Sequence, residues 1–296
     1  MYSGEIAALG TAVCWTVTAL AFESAGKRIG SLAVNFIRLV MAVFFLAGAA
    51  WLVRGLAWPT DATLHAWVWL SVSGLIGFTI GDLCLFEAFV VIGSRRSMLI
   101  MSLVPPITAL MGWIVMGEVL TPRDWTGMAL TVAGVAWVIS ERQPATGGTA
   151  KTGPALGGLL LGFGGALGQA VGLVLSKYGM GEYSALAATQ IRVFAGIVGF
   201  AALFVFIGWW PRVWTGLKNR QGMARTTVGS VFGPFLGVTG SLLAVKYTQA
   251  GVAATIMAIV PVMIIPPAVL LHKERVTARA VAGAVLAVIG VAILFL

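Results

Sequence analysis

The chain of 296 residues is 59% hydrophobic and only 10% charged, with a mean hydropathy of +0.98. Soluble domains carry about 25% charged residues, so a single soluble core cannot hide this much apolar surface and lipid is the expected solvent. The formal net charge of +9 comes mostly from Lys and Arg in short predicted loops. Loop charge of this kind is typical of membrane topology, so a nucleic-acid partner is not expected.

Ten apolar segments, each about long enough to cross a bilayer, follow one another along the chain. They cover residues 4–22, 32–53, 66–90, 95–116, 122–140, 155–175, 184–209, 227–248, 250–271 and 277–295. The alternation typical of membrane β-barrels is absent, so the sequence predicts an all-α membrane protein. Ten transmembrane helices use most of the chain and leave no room for a soluble catalytic or binding domain.

The sequence contains an internal repeat, because residues 97–140 align without gaps with residues 253–296 at an offset of 156. Thirteen of these 44 positions are identical. A looser match relates Ile37-Arg38 to Ile191-Arg192. We therefore predict a first five-helix repeat over residues 4–141, a linker over 142–154 and a second repeat over 155–296. Five helices are an odd number, so the second repeat is predicted to be inverted, with a substrate path between the two copies.

Loop charge predicts the orientation in the membrane. We define side A as the face that carries the two chain termini and side B as the opposite face. Of the 19 Lys and Arg residues, Arg38 and Arg192 fall inside spans, four fall in side A loops and the other thirteen in side B loops. Basic loops stay in the cytoplasm. Side B is therefore predicted to be cytoplasmic, and both termini to face the periplasm of a bacterial inner membrane.

The repeated motif resembles the drug/metabolite transporter superfamily, specifically its two-copy EamA-type members. In each copy a Pro-containing helix is followed by Glu, then Thr, then two Gly seven residues apart. The matching residues are Pro105, Glu118, Thr121, Gly127 and Gly134 in the first copy and Pro261, Glu274, Thr277, Gly283 and Gly290 in the second. The resemblance implies a ten-helix basket around a central cavity, in carriers that export amino acids, metabolites or drugs. It also implies cytoplasmic termini, whereas the loop charges of this chain point the other way.

Prolines interrupt two of the predicted spans at repeat-related places. Pro105 and Pro106 lie about midway along the fourth span, and Pro261, Pro266 and Pro267 lie in the ninth. A proline inside a helix removes a backbone hydrogen bond and kinks the helix, and in a membrane the freed carbonyl needs a partner or a wet cavity. We interpret these sites as paired gating kinks. A static kink that improves packing is the alternative.

Ionisable residues inside spans are costly and usually face a partner or a cavity. Arg38 and Asp82 are predicted at comparable depth from side B, so they are predicted to form an ion pair. Glu87 lies nearer that surface. Proton coupling through Asp82 or Glu87 is a second interpretation.

The second repeat has spare positive charge, because Arg192 occupies the place of Arg38 without a matching carboxylate nearby. A guanidinium fork binds carboxylate well. We expect Arg192, or Lys246 followed by Tyr247, to attract the carboxylate of an amino-acid-like substrate. The alternative has Lys246 reaching the membrane surface and Arg192 bonding local carbonyls. The other predicted cavity-lining residues are Trp15, Phe78, Trp113, Gln169, Gln190 and Ser241.

Motifs of enzyme chemistry are absent, including HExxH, GxSxG and phosphate-binding loops, so no enzyme activity, cofactor or metal site is expected. The overall prediction is a secondary transporter that moves small metabolites, above all amino acids, by alternating access, with export favoured. Multidrug efflux, metabolite uptake and a non-transporting structural or sensory role remain alternatives. The expected partners are the lipid bilayer and a small-molecule substrate, and the expected state is a monomer or weak homodimer.

Overall fold

The structure, a computed structural model, describes residues 2–92, 97, 100–140, 155–263 and 277–295. Every regular element within these ranges is a helix. The first repeat contains α1 (Ser3–Ile29), α2 (Ser31–Arg54), α3 (64–92), α4 (Val104–Met116) and α5 (Pro122–Ser140). Helix α3 is continuous but changes its winding, from Leu64–Gly74 through a π-helical segment, Leu75–Gly81, to Asp82–Ile92. The predicted linker lies outside the described residues.

The second repeat follows the same order. It contains α6 (Ala155–Met180), α7 (Ala185–Ile207), α8 (220–247), α9 (Ala250–Met257, then Val260–Met263) and α10 (Ala278–Leu294). A short connecting helix, Trp210–Leu217, joins α7 to α8 and was not predicted, so the described ranges hold eleven helices. Six helices are long and apolar enough to cross a membrane by themselves, and α4 and α10 are shorter apolar helices.

The same irregularities recur in both repeats at the offset of 156. Helix α8 has its own π-helical segment, Val231–Gly237, at the place of Leu75–Gly81 in α3. Likewise, turns at residues 102–103 and 258–259 interrupt the helices ahead of α4 and inside α9. A π-helical segment is a rare feature that often marks a functional site. Its repetition at one offset shows that the two repeats share detailed geometry as well as sequence.

The predicted proline kinks take a different form in the structure. Pro105 and Pro106 lie in the first turn of α4, just after the break at residues 102–103, and not within a continuous helix. Proline is tolerated in a first turn, because the amide hydrogens there have no partner inside the helix. Pro261 occupies the equivalent place after the break in α9, while Pro266 and Pro267 lie outside the described residues. The interruption is therefore a break in the helix rather than a bend.

Helices α5 and α10, the last of each repeat, pack against each other through glycines. A Cβ on Gly127 would lie 2.9 Å from the Gly290 carbonyl oxygen, and a Cβ on Gly134 would lie 2.6 Å from that of Gly283. Residues early in α5 thus meet residues late in α10, so these two equivalent helices run antiparallel. Copies related by an axis along the bilayer normal would place equivalent helices parallel. The contact is that of an inverted repeat.

The other main contacts between the repeats are crosswise. Helix α1 packs along α8 of the second repeat, and α6 packs along α3 of the first. A Cβ on Gly168 would lie 2.7 Å from the Gly81 Cα atom, and one on Gly237 would lie 2.7 Å from Trp15 Nε1. Small residues at such crossings let helices approach closely in a membrane. The two repeats are therefore interleaved, and a central space remains between them.

We predict that Gly134→Ala destabilises the protein by about 1–3 kcal/mol, the usual range for an overpacked interior. The new Cβ would lie 2.5 Å from the Ala287 backbone nitrogen, where no side chain can move aside. Gly48→Ala is the control, since a Cβ at that helical position meets nothing within 4 Å and alanine favours helix. Titration of detergent-solubilised protein with SDS measures both changes. Equal stability of the two variants would contradict the packing.

Candidate functional site

A cavity of ≈ 330 Å³ lies between the two repeats. Sites for small molecules have volumes of about 300–1,000 Å³, mostly apolar walls and a few polar groups. The described walls of this cavity fit that description. They are formed by Trp15, Thr18, Ala19, Arg38, Phe78, Asp82, Met101, Ser102, Val104, Val135, Gln169, Leu173, Arg192, Gly233, Pro234, Val238, Ser241, Ala254, Met257, Ala258 and Val260.

Many lining residues form repeat-related pairs. Five pairs are separated by the repeat offset of 156. They are Phe78 and Pro234, Asp82 and Val238, Met101 and Met257, Ser102 and Ala258, and Val104 and Val260. Arg38 and Arg192, related by the looser match, also face the cavity together. The cavity therefore lies where the two repeats meet, and the π-helical segments and helix breaks lie at its wall.

Arg38, Asp82 and Gln169 form a hydrogen-bonded group at the cavity wall. Arg38 Nη2 donates to Asp82 Oδ2, and Gln169 Nε2 donates to Asp82 Oδ1 at 2.8 Å. The Arg38 guanidinium also lies over the Phe22 ring, 5.3 Å from its centroid. Both carboxylate oxygens are thus hydrogen-bonded, which a buried charge requires. The structure brings Arg38 and Asp82 together as predicted.

Arg192 on α7 brings a second guanidinium to the cavity. The residue is only 5% exposed, and its Nε atom has no hydrogen-bond partner. No carboxylate in the described residues forms an ion pair with it. The guanidinium stacks on Phe78, 5.0 Å from the ring centroid, and a Cβ on Gly77 would lie 3.3 Å from Arg192 Nη2. A buried guanidinium with unused donors is suited to bind an anion.

Carboxylates are few among the lining residues that the structure describes. Asp82 is the one carboxylate among the described lining residues. Over the described ranges, no group of three or more His, Cys, Asp or Glu side chains could hold a metal ion.

Five predicted site residues lie away from the cavity. Lys246 reaches the side A surface, where its Nζ donates to the Glu182 carbonyl oxygen at 2.7 Å and lies 3.3 Å from the Glu182 carboxylate. Tyr247 is 57% exposed. Lys246 follows the alternative interpretation, in which a long side chain at a helix end extends to the interface. Trp113 is 61% exposed on α4.

Gln190 and Glu87 also have other surroundings. Gln190 is buried, but its Nε2 donates to the Ala57 carbonyl oxygen at 2.7 Å and so ties α7 to the α2–α3 loop. Glu87 follows Asp82 by five residues, a rotation of about 140° on a helix with 3.6 residues per turn. It is exposed and lines a second, surface cavity at side B together with Trp209 and Arg212.

The sequence analysis missed several lining residues, notably Met101, Met257, Pro234 and Val238. For two of them a signal was present in the sequence: adding 156 to the predicted site positions Phe78 and Asp82 gives Pro234 and Val238. Met101 and Met257 are identical residues within the aligned repeat. These lining residues were missed because the sequence does not distinguish an apolar residue that lines a cavity from one that packs between helices.

The sequence matches the model of the EamA-like transporter family twice, over residues 2–140 and over residues 156–296. The chain belongs to the EamA-like transporter family. It is a multi-pass membrane transporter of small solutes and not an enzyme. A protein known from its crystal structure shares the fold, with a TM-score of 0.75 and 19% identity over 99% of this chain and 96% of that one. A search of curated proteins finds no match to the sequence.

On side A, polar contacts join the two repeats of this EamA-family transporter near the cavity. Glu118, in the α4–α5 loop, accepts from Lys177 Nζ at 2.5 Å through one oxygen. Its other oxygen accepts from the Ala250 backbone amide at 2.9 Å, at the start of α9. Lys177 Nζ also donates to the Thr248 carbonyl oxygen at 2.6 Å. Ala254 lines the cavity one turn from Ala250, so this Glu118–Lys177 contact is the candidate closure of the cavity toward side A.

A second contact between the repeats lies at the same face. Asp61, in the α2–α3 loop, accepts from Arg54 Nη2 at 2.5 Å and from the Tyr183 hydroxyl at 2.8 Å. Burial, together with the hydrogen bond to Asp61, raises the pKa of Tyr183 to about 12. The phenol therefore stays protonated and remains a donor at physiological pH. The first repeat is thus held to the α6–α7 loop of the second.

We predict that Glu118→Gln opens side A more often. A hydrogen bond to a charged group contributes roughly 1.5 kcal/mol, so the open population should rise by about tenfold. In protein without Cys14 and Cys84, a Ser241→Cys reporter is labelled by a membrane-impermeant thiol reagent added at side A, and the labelling rate is measured. Glu182→Gln is the matched control, because that side chain is 98% exposed. A reporter labelled at equal rates in both variants would show that Glu118 does not hold side A closed.

The Asp61 contact predicts a change in stability at acid pH. Hydrogen bonds from Arg54 and Tyr183 lower the pKa of Asp61. Its contribution to stability is therefore complete above the unfolded-state pKa of about 3.9 and is lost as the pH falls through the lower folded-state value. Asp61→Asn should remove this part of the acid dependence and cost less than about 1 kcal/mol at neutral pH, because the pair is solvent-exposed. Unfolding midpoints of the wild type and of Asp61→Asn, measured from about pH 3 to pH 7, test both expectations. Superimposable pH profiles of the two proteins would argue against the contact.

Proposed function

We propose that this protein is a secondary transporter that exports small carboxylate-bearing metabolites, with amino acids as the leading class, across a bacterial inner membrane. One observation carries the proposal: a buried guanidinium, Arg192, lines the central cavity without an anionic partner of its own among the described residues. A buried unpaired charge is expensive in a membrane protein and usually has a functional reason. A substrate carboxylate supplies the missing partner.

The rest of the cavity suits the remainder of such a substrate. Trp15, Phe78 and Met257 offer apolar and aromatic surface for a side chain, and Ser241 offers a hydroxyl at the same wall. A cavity with few polar points fixes the orientation of a ligand and tolerates different apolar bodies. This favours metabolites over the bulky, often cationic molecules that multidrug pumps carry, because an unpaired guanidinium repels cations.

The repeated irregularities support alternating access. Two π-helical segments and two helix breaks lie in repeat-related pairs at the cavity. Inverted repeats can exchange conformations, so that each face is closed in turn around one central site. In the proposed cycle, the Glu118–Lys177 contact is the one that closes side A in this state. Pro105 and Pro261, just beyond the two breaks, are the proposed hinge positions.

Loop charge indicates which compartment the cavity faces in this state. With side B in the cytoplasm, closure of side A faces the periplasm, and the cavity would load from the cytoplasm. Coupling to protons is a further proposal, and Asp82 is the candidate because it is the one carboxylate among the described lining residues. Glu87 is not a candidate, since its side chain is exposed at the surface.

We predict that Arg192→Gln lowers saturable counterflow of amino acids in proteoliposomes by at least about tenfold, because a charge-assisted pair with the carboxylate is lost. Purified protein is reconstituted with a panel of labelled amino acids and other small carboxylates. Lys246→Gln is the control, since that ammonium is already paired with Glu182 at the surface, and it should retain wild-type flux. Flux that never saturates would indicate a channel. Unchanged flux in a folded Arg192→Gln protein would remove Arg192 from the mechanism.

A further inference from the structure

The two repeats differ at one decisive position of the cavity. Arg38 in the first repeat is matched by Arg192 in the second, and both line the cavity. Asp82, however, is matched at the offset of 156 by Val238, which also lines the cavity. Each repeat thus supplies a guanidinium, but only the first supplies a carboxylate.

The surroundings of the two arginines follow from this difference. Arg38 donates to Asp82, whose other oxygen accepts from Gln169. Arg192 stacks on Phe78, one helical turn from Asp82 on α3, but forms no ion pair within the described chain. With two guanidinium groups and one carboxylate, the described lining residues have a net charge of +1. In a low-dielectric setting, an excess charge of this kind is stabilised by one negative charge brought from outside.

We propose that the solute this transporter selects is a monoanion, whose carboxylate replaces the acidic side chain that the second repeat lacks, beside Arg192 and Val238. The inference rests on the proposed function and changes the order of its substrates, because it places carboxylates without an amino group ahead of amino acids. In the second repeat, helix α7 packs against the α8 segment Val238–Tyr247. In the first repeat, the equivalent helices α2 and α3 are joined by the Arg38–Asp82 ion pair. A carboxylate there gives the second repeat the ion pair that the first repeat has.

A zwitterion meets the same site less well. Its carboxylate engages Arg192, but its ammonium group adds a positive charge to a cavity that then still has an excess of +1. The described walls hold no second carboxylate to accept that ammonium group, and both oxygens of Asp82 already have donors. Unpaired polar groups in such a site lower affinity strongly. Within one carbon skeleton, the acid without an amino group is therefore preferred to the amino acid.

The first test places a carboxylate in the protein itself. Val238→Asp should pair with Arg192, neutralise the cavity and weaken binding of 3-phenylpropionate by at least about tenfold. Val238→Asn, similar in size and polar but uncharged, is the matched control and should weaken binding far less. Isothermal titration of purified protein in nanodiscs measures binding, and circular dichroism and the unfolding midpoint confirm that both variants fold. Equal affinity of Val238→Asp and wild type would overturn the proposal, as would equal losses in the two variants.

The second test compares three probes with one skeleton: 3-phenylpropionate, phenylalanine and 2-phenylethylamine. We expect wild-type protein to bind the monoanion at least about tenfold more tightly than the zwitterion, and the cation least. Arg192→Gln should abolish the preference for the monoanion. Phenylalanine binding as tightly as 3-phenylpropionate would overturn the charge assignment.

Counterflow in proteoliposomes separates this inference from the proposed function. Binding of the monoanion with no saturable flux would leave the charge assignment standing and contradict secondary transport. Saturable flux of amino acids that Val238→Asp leaves unchanged would do the reverse, because the transport function would stand while the assigned carboxylate position would be wrong.

Discussion

Close approach of helix backbones from opposite repeats is the constraint on which this structure depends. Lipid tails are as apolar as the side chains they surround, so helices in a membrane associate through van der Waals packing and hydrogen bonds rather than through exclusion from water. Gly134 against Gly283 on the α5–α10 pair, and Gly81 against Gly168 between α3 and α6, bring main chains together without intervening side chains. These contacts fix the distance between the repeats. They also constrain the cavity, because α3, α5 and α6 all contribute lining residues.

The irregular parts of the helices coincide with the functional centre. The π-helical segments Leu75–Gly81 and Val231–Gly237 adjoin Asp82 and Val238, so the position that distinguishes the repeats in charge lies next to the position where both share an unusual winding. Each repeat therefore contributes one π-helical segment at the cavity. A pair of equivalent elements of this kind suits alternating access, in which the two repeats exchange conformations. Asymmetry at a single side chain leaves one guanidinium without its partner. The protein thus combines a symmetric scaffold with an asymmetric binding surface.

Much of the fold could be predicted from the sequence, because lipid imposes strong rules on apolar length and on backbone hydrogen bonding. The repeat offset of 156, read from residues 97–140, also relates π-helical segments that lie outside that aligned stretch. The connecting helix Trp210–Leu217 was missed, since eight residues next to a span read as the end of that span. At the site, Arg38, Asp82, Gln169 and Arg192 were predictable because polar groups are rare in spans. Trp113 and Tyr247 were misplaced because composition does not reveal which face of a helix turns toward lipid.

The crosswise packing of α1 on α8 and of α6 on α3 has a consequence for biosynthesis. When the ribosome has released only the first half of the chain, the glycine-bearing surface of α3 still faces lipid, since α6 has not yet been made. The nascent half must therefore wait in the bilayer as inserted but loosely associated helices, and its native tertiary structure can form only once the second half has entered. Translation order and assembly order are thus uncoupled.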